Sequence, residues 1–168
     1  MTNQKRPKII LVPYPAQGHV TPIVNLASLL ARQSFQPVVV TPEFIHRSIS
    51  HQIGRGTEIS FIGIPDGIQE GSPRDFFAME RAMENILPKY LEKLVEKSRK
   101  DEEDGGGVIA YFIVDLLASW AIKVGWQCGI PVAGFWPAMV ETYHLIAAIP
   151  DMIRTGFISD TGEFLYLR

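Results

Sequence analysis

The sequence has few of the features that define secreted, membrane-spanning or nucleic-acid-binding proteins. Its single cysteine, Cys128, excludes a disulfide within the chain and a thiolate cluster for zinc. Its net charge of −2 gives no electrostatic reason to expect nucleic acid or an anionic membrane as a partner. No run approaches the ~20 apolar residues of a membrane helix, and the apolar run Ile9–Val12 is too short for the core of a secretory signal. These absences favour a reducing compartment, and we expect a cytoplasmic protein.

Three motifs of common α/β enzymes are also missing. No G-x-G-x-x-G follows a predicted strand, which argues against a dinucleotide site of the usual kind. There is no G-x-x-x-x-G-K-[ST] phosphate loop and no G-x-S-x-G nucleophile elbow. The sequence therefore gives no support to the nucleotide-dependent dehydrogenases, the P-loop enzymes or the serine hydrolases.

What the chain does have is a globular composition with an alternating pattern of elements. Hydrophobic residues make up 46% and charged residues 20%, which is close to the globular average. Short apolar runs, several of them rich in β-branched residues, predict five strands: Lys8–Pro13, Pro37–Thr41, Glu58–Ile64, Val108–Val114 and Pro131–Phe135. Helical segments separate them, so we predict an α/β protein with a Rossmann-like parallel sheet and helices on both faces.

Threonine–proline pairs predict where the first two helices begin. Thr21 is a good N-cap residue with Pro22 at the first helical position, and Thr41–Pro42 repeats this signal for a shorter helix ending near Ile49. On this interpretation the segment Tyr14–His19 is a loop.

Further along the chain, capping and proline signals predict the remaining helices. Ser72 with Asp75 resembles a capping box that opens a long helical stretch to about Lys100, and Pro88 must bend or divide it. The composition of Asp101–Gly107 is typical of an exposed linker. Two more segments have helical patterns, the second with a break at Pro150: Leu116–Gln127 and Ala138–Ile153.

Two polar residues are predicted to meet at one edge of this sheet. His19 follows the first strand, and Asp115 directly follows the strand Val108–Val114. Ligands of open parallel sheets bind at the carboxyl ends of the strands, where both residues fall. A carboxylate can orient an imidazole while the other ring nitrogen takes a proton. Asp115 as a simple helix cap and His19 as a solvated or packed side chain remain alternatives.

Three longer segments carry a resemblance to a known family. PYPAQGHVTPIVNLA (Pro13–Ala27) resembles the opening motif of the plant family 1 UDP-glycosyltransferases. VDLLASWAIKVGWQCGIPVAGFWP (Val114–Pro137) is similar to their second N-terminal landmark, and SPRDFFAMERAMENILPKYLEKLVE follows their acceptor-side helices. The segments occur in the family's order and extend over most of the chain.

The resemblance implies an activity and roles for particular residues. It implies transfer of a hexosyl group from a UDP-sugar to a hydroxyl of a small lipophilic acceptor, with inversion at the anomeric carbon. His19 matches the family's general base and Asp115 its carboxylate partner. Gly18 is a candidate for the approach of the donor. No metal is expected, and UDP-sugar is a co-substrate rather than a tightly bound cofactor.

The resemblance also implies an acceptor pocket and an oligomeric state. The candidate pocket residues are aromatic, apolar or imidazole side chains: Phe76, Met83, Trp136, Met139, Tyr143 and His144. The expected partners are the acceptor and the UDP-sugar, with no nucleic acid and no membrane span. The complete protein is expected to be a monomer.

In the family, two similar α/β domains face a cleft. Residues 1–168 match an incomplete N-terminal, acceptor-binding half of this GT-B arrangement, and the signature of the UDP-sugar-binding half does not occur before Arg168. We therefore expect this polypeptide to be a truncated domain that is inactive by itself. Two alternatives stay open: a non-catalytic fragment that binds a small molecule or a partner, and a different α/β enzyme that uses the His–Asp pair for proton transfer.

Overall fold

The computed structural model describes residues 6–50, 58–103 and 107–163. The chain divides into two compact units, Met1–Phe135 and Trp136–Arg168. The described part of the first unit contains the sheet and five α-helices, and the described part of the second contains one helix. Among the described residues, no helix combines the length and the apolar character needed to cross a membrane.

The first unit is built on a five-stranded sheet in which every pair of neighbours is parallel. The spatial order is β3-β2-β1-β4-β5. The strands, in chain order from β1 to β5, are Lys8–Val12, Gln36–Pro42, Ser60–Ile64, Ile109–Asp115 and Val132–Phe135. Each predicted strand is present, with ends that differ by one or two residues. The predicted parallel α/β sheet is therefore confirmed.

Helices connect the strands and cover the two faces of the sheet. The helices, in chain order from α1 to α6, are Gln17–Arg32, Glu43–Ser50, Phe76–Asn85, Leu87–Glu103, Ser119–Gln127 and Val140–Arg154. One hydrophobic cluster joins α1 to one face of the central strands, and a larger one joins α3, α4 and α5 to the other face. Alternating residues of β1, such as Leu11 and Val12, serve the two clusters, which explains why this strand is apolar throughout.

The predicted start of the first helix is wrong. Helix α1 begins at Gln17, and its N-cap residue Ala16 makes no side-chain cap. Pro22 therefore lies inside the helix, where it lacks the amide that would bond to the carbonyl of Gly18. The earlier start places Val20 on the buried face with Ile23, and both side chains are almost fully buried. Burial of these two side chains offsets the missing hydrogen bond.

The second Thr–Pro pair also predicts its helix start imperfectly. Pro42 is the last residue of β2 and α2 begins at Glu43, so Thr41 remains in the strand. The helix ends at Ser50, one residue beyond the predicted end. Between β4 and α5 the chain forms a short 3₁₀ turn, Leu116–Ala118, where a continuous helix was predicted.

The predicted capping box places the start of α3 three residues too early. Asp75, not Ser72, is the N-cap of α3, and its side chain accepts a hydrogen bond from the Ala78 amide at 2.8 Å. The predicted division at Pro88 is confirmed, because α3 ends at Asn85 and α4 begins at Leu87. Pro88 is the second residue of α4, where no intrahelical partner for its nitrogen is required.

Two other boundaries differ from prediction. Helix α4 continues to Glu103, into the segment predicted as a linker, and residues 104–106 lie outside the described part of the chain. Helix α6 runs without interruption through Pro150, so the predicted break there is wrong. Composition alone did not show that α4 extends into the predicted linker or that α6 continues past Pro150.

Candidate functional site

The parallel register brings the ends of β1 and β4 side by side. Val12, the last residue of β1, pairs with Val114, and Asp115 follows as the last residue of β4. The chain leaves β1 through a short connection and enters α1, so His19 lies in the first turn of this helix rather than in a loop. Both side chains therefore lie at the carboxyl edge of the sheet, as predicted.

The two side chains are in direct contact. His19 Nδ1 lies 2.7 Å from Asp115 Oδ2, although 96 positions separate the residues in the sequence. The Asp115 side chain is completely buried, whereas that of His19 is 21% exposed. A hydrogen bond at Nδ1 leaves Nε2 as the ring nitrogen available to another group.

The carboxylate of Asp115 has a second partner that fixes its orientation. Its Oδ1 accepts a hydrogen bond from the backbone amide of Leu117 at 3.0 Å and so caps the 3₁₀ turn that follows β4. The capping role and the histidine contact were alternatives in the sequence, and the structure combines them on different oxygens of one carboxylate.

Tyr14 is a neighbour of this pair that the sequence motifs did not single out. Its ring meets that of His19 in an edge-type contact, with centroids 5.4 Å apart and planes at 63°. Tyr14 also packs against the larger hydrophobic cluster. The imidazole is therefore restrained by an aromatic ring in addition to the carboxylate. In the sequence, this contact was signalled only by the presence of an aromatic residue shortly before His19.

The remaining predicted site residues fall in three settings. Gly18 is in the first turn of α1, and a Cβ atom there would have no neighbour within 4 Å. Phe76 is 63% exposed at the start of α3, where it contacts Phe77 edge-on. Met83, on the same helix, is 7% exposed and belongs to the larger hydrophobic cluster.

The other four candidate pocket residues lie in the second unit. Trp136 Nε1 donates a hydrogen bond to the carbonyl of Met139 at 2.9 Å. The ring of Tyr143 lies 5.8 Å from that of Trp136 and 6.0 Å from that of His144, measured between centroids. These side chains therefore form one aromatic group at the beginning of α6. Phe76 and Met83 belong to the first unit.

No group of three or more histidine, cysteine, aspartate or glutamate side chains with the spacing of a metal site occurs among residues 6–50, 58–103 and 107–163.

The fold shows to which structural class the chain belongs. The chain is a Rossmann-like α/β protein, and solved plant glycosyltransferases share this architecture. Os79 from O. sativa, solved with a trichothecene, superposes with a TM-score of 0.71 at 19% identity, over 89% of this chain and 37% of the other. A UDP-glucose:anthocyanidin 3-O-glucosyltransferase, solved with UDP, superposes with a TM-score of 0.70, also at 19% identity, over 96% and 37%.

Sequence comparison gives the family. No family model matches the chain. UDP-glycosyltransferase 82A1 of Arabidopsis thaliana is 49% identical over 160 residues, which are 94% of this chain and 33% of the relative. UDP-glycosyltransferase 83A1 of the same plant is 33% identical over 167 residues, 94% of this chain and 36% of the relative. The chain belongs to the plant UDP-glycosyltransferases, and it spans about a third of the length of these relatives.

Proposed function

We propose that this chain supplies the acceptor-activating base of a UDP-dependent hexosyltransferase, with His19 as the base and Asp115 as its partner. The observation that carries the proposal is the 2.7 Å contact between His19 Nδ1 and Asp115 Oδ2 at the carboxyl edge of the sheet. The family relationship supports a UDP-sugar as donor, since related structures were solved with UDP.

In the proposed reaction, Nε2 of His19 takes the proton of an acceptor hydroxyl. The acceptor oxygen forms a bond to the anomeric carbon as the bond from that carbon to UDP breaks, and UDP leaves with the bonding electrons. Attack opposite the leaving group inverts the anomeric configuration. The Asp115 carboxylate stabilises the imidazolium that forms.

The proposed acceptor is a small lipophilic molecule with a hydroxyl group, such as a phenol or a terpenoid alcohol. Each unit by itself offers support: Phe76 is an exposed aromatic side chain at the start of α3, and Trp136 and Tyr143 lie together near the start of α6. Support also comes from Os79, which was solved with a trichothecene. We keep Met83, Met139 and His144 as candidate acceptor contacts on the family resemblance alone, and Met83 is a core residue of α3.

A chimera tests the base directly. This chain replaces the matching third of UDP-glycosyltransferase 82A1, and UDP release and sugar transfer are measured with a panel of phenols and terpenoid alcohols. His19→Ala is expected to lower the rate by about 10²–10⁴-fold, the usual contribution of a general base. His46→Ala, a change at a partly buried histidine of α2, is the matched control and should leave the rate within about twofold. A His19→Ala chimera with the wild-type rate would refute the role of His19.

We further propose that Gly18 leaves room for the UDP-sugar. A Cβ atom at this position meets no protein atom within 4 Å, so Gly18→Ala fits the fold itself. In the chimera this substitution should raise the KM for UDP-sugar several-fold while the melting temperature moves by no more than a few degrees. An unchanged KM would remove Gly18 from the donor site.

The 168-residue polypeptide alone is proposed to be inactive, because it matches about a third of the relatives that carry the activity. UDP release by the purified chain above a His19→Ala background would overturn this. Calorimetry of the same chain with acceptors, without UDP-sugar, distinguishes a binding fragment from an inert one. A cytoplasmic, monomeric protein remains our expectation, which fluorescent tagging in plant cells and light scattering can check.

A further inference from the structure

A second buried carboxylate follows strand β3. Asp66 is only 5% exposed and belongs to the turn Pro65–Gly67 at the carboxyl end of this strand. Its Oδ1 accepts a hydrogen bond from the Ile68 amide at 2.9 Å, and its Oδ2 accepts one from Arg74 Nε at 2.8 Å. The ion pair closes the loop between β3 and α3, because Arg74 is the residue before the helix cap Asp75.

Arg74 also connects this loop to a neighbouring helix. Its guanidinium carbon lies 5.0 Å from the ring centroid of Phe44 on α2, which is within the range of a cation–π contact. Its Nη2 is 3.5 Å from the carbonyl oxygen of Ile68. Arg74 is 26% exposed, so its contacts with Asp66 and Phe44 are partly shielded from water.

The same turn touches the opposite end of α3. Gly67 has a φ of +71°, and a Cβ atom there would lie 2.4 Å from Cδ1 of Ile86. Ile86 is the C-cap residue of α3. The turn is therefore packed against the residue that ends the helix, while its carboxylate holds the residue that precedes the helix.

A cavity of about 390 Å³ adjoins these contacts and is lined by Phe44, Asp66 and Arg74, among other residues. Side chains that line a cavity have fewer packing partners than core side chains. The loop before α3 is therefore held at this point by polar contacts of Asp66 and Arg74 and not by close packing alone.

We propose that Asp66 and Arg74 are positioning residues that fix helix α3 and thereby set the affinity for the acceptor. The effect on acceptor affinity rests on the proposed function, in which the side chains of α3 contact the acceptor. His19 and Asp115 lie on α1 and β4, and the hydrogen bonds of Asp66 and Arg74 do not involve either of them. We therefore expect loss of the ion pair to raise the acceptor KM and to leave kcat almost unchanged.

Hydrogen exchange on the full 168-residue chain tests whether Asp66 and Arg74 hold helix α3 in place. Asp66→Asn keeps an oxygen for the Ile68 amide and removes the charge that faces Arg74, and Arg74→Met removes the other partner. Each should speed exchange of the α3 amides at least tenfold. Arg154→Met is the control, because its ion pair with Asp151 joins two exposed side chains of α6. Unchanged α3 exchange in both variants would overturn the proposal.

Kinetics of the chimera test whether the position of α3 sets the affinity for the acceptor. Asp66→Asn and Arg74→Met should each raise the acceptor KM at least fivefold with kcat within twofold, and Arg74→Lys should recover part of the loss. Faster α3 exchange with an unchanged acceptor KM would overturn the link to affinity. A wild-type chimera that transfers no sugar would refute the proposed function and the claim on affinity with it, whereas the exchange measurement decides the role of the ion pair by itself.

Discussion

Asp115 and Asp66 are two buried carboxylates with the same local geometry and different partners. Each lies at or just beyond the carboxyl end of a parallel strand. Each gives one oxygen to the backbone amide two residues later, that of Leu117 at 3.0 Å or Ile68 at 2.9 Å. The second oxygen of Asp115 meets His19 at 2.7 Å, and that of Asp66 meets Arg74 at 2.8 Å.

The difference between the two sites lies in what the partner can do. An imidazole gains and loses a proton near neutral pH, whereas a guanidinium stays charged and only holds its carboxylate in place. On our proposals, the same aspartate turn supports proton transfer by His19 at Asp115 and positioning of Arg74 at Asp66. A strand-end aspartate alone does not reveal its role, because the side chain that reaches it from elsewhere in the fold decides the chemistry.

The largest expected effect is on catalysis, from Asp115→Asn. The amide keeps an oxygen for the Leu117 backbone but provides no charge to stabilise the imidazolium of His19. In the chimera we expect kcat to fall by about 10²-fold or more, comparable with the loss of general-base assistance. Asp66→Asn in the same assay should leave kcat within twofold. Equal losses of kcat in the two variants would mean that the carboxylates do not differ in role.

Stability should separate an ion pair with a buried carboxylate from an exposed ion pair. Arg74→Met leaves the buried Asp66 carboxylate without its charged partner, and we expect a loss of about 1.5–3 kcal/mol in the free energy of unfolding. Arg154→Met breaks the exposed ion pair with Asp151 and should cost about 0.5 kcal/mol or less. Urea denaturation of the 168-residue chain measures both. A loss in Arg74→Met no greater than in Arg154→Met would show that burial adds nothing to the Asp66–Arg74 pair.

Much of this comparison was readable in the sequence at Asp115 and little at Asp66. Five apolar runs predicted the parallel sheet, and the position of Asp115 after the most apolar run placed it at the carboxyl edge of the sheet. Pro65-Asp66-Gly67 has the composition of a turn, but nothing in the sequence indicates that Arg74 folds back onto Asp66. Such a contact depends on the conformation of a loop that hydrophobic periodicity does not describe.

The helix starts show the same limit. The pair Thr21–Pro22 has the composition of a helix start, yet α1 begins five positions before Pro22, at Gln17. The local capping preference is worth about 1 kcal/mol, less than burying the additional apolar side chain Val20. Because tertiary packing outweighs the local signal, the sequence predicted that His19 meets Asp115 but placed it in a loop instead of the first helical turn.

Glycine substitutions should separate the crowded turn at Gly67 from the open first turn of α1 at Gly18. Gly67→Ala places a methyl group 2.4 Å from Ile86 Cδ1 at a φ of +71°, and we expect a loss of about 1–3 kcal/mol in unfolding free energy. Gly18→Ala, near His19, meets no atom within 4 Å, and it should change stability by less than 1 kcal/mol in either direction. Urea denaturation compares the two. A Gly67→Ala chain as stable as Gly18→Ala would contradict close packing of the turn against α3.

Cys128 extends the comparison to a half-buried thiol. Its cationic neighbour Arg99 makes its hydrogen bond to a backbone carbonyl instead of to the titrating group. Burial raises the pKa of the Cys128 thiol; the charge of Arg99 lowers this pKa in part, and Glu92 and Glu96 raise it further. Arg99 donates its hydrogen bond to the backbone carbonyl of Cys128 rather than to the sulfur. Because the folded protein favours the neutral thiol, this group's contribution to stability is present below the unfolded pKa and is lost as the pH rises through the folded pKa.

The smallest expected effect is therefore a shift in the pH dependence of Cys128 alkylation. Iodoacetamide reacts with the thiolate, so the inflection of rate against pH should lie higher for the folded chain than for the same chain in urea. Arg99→Met should move the folded inflection further up, because it removes the charge that lowers the pKa, and the exposed Arg154→Met should not move it. A downward shift in Arg99→Met would mean that the carbonyl contact of Arg99 buries the thiol more than its charge stabilises the thiolate. Unlike Arg74 beside Asp66, Arg99 would then act on its neighbouring acid more through burial than through charge.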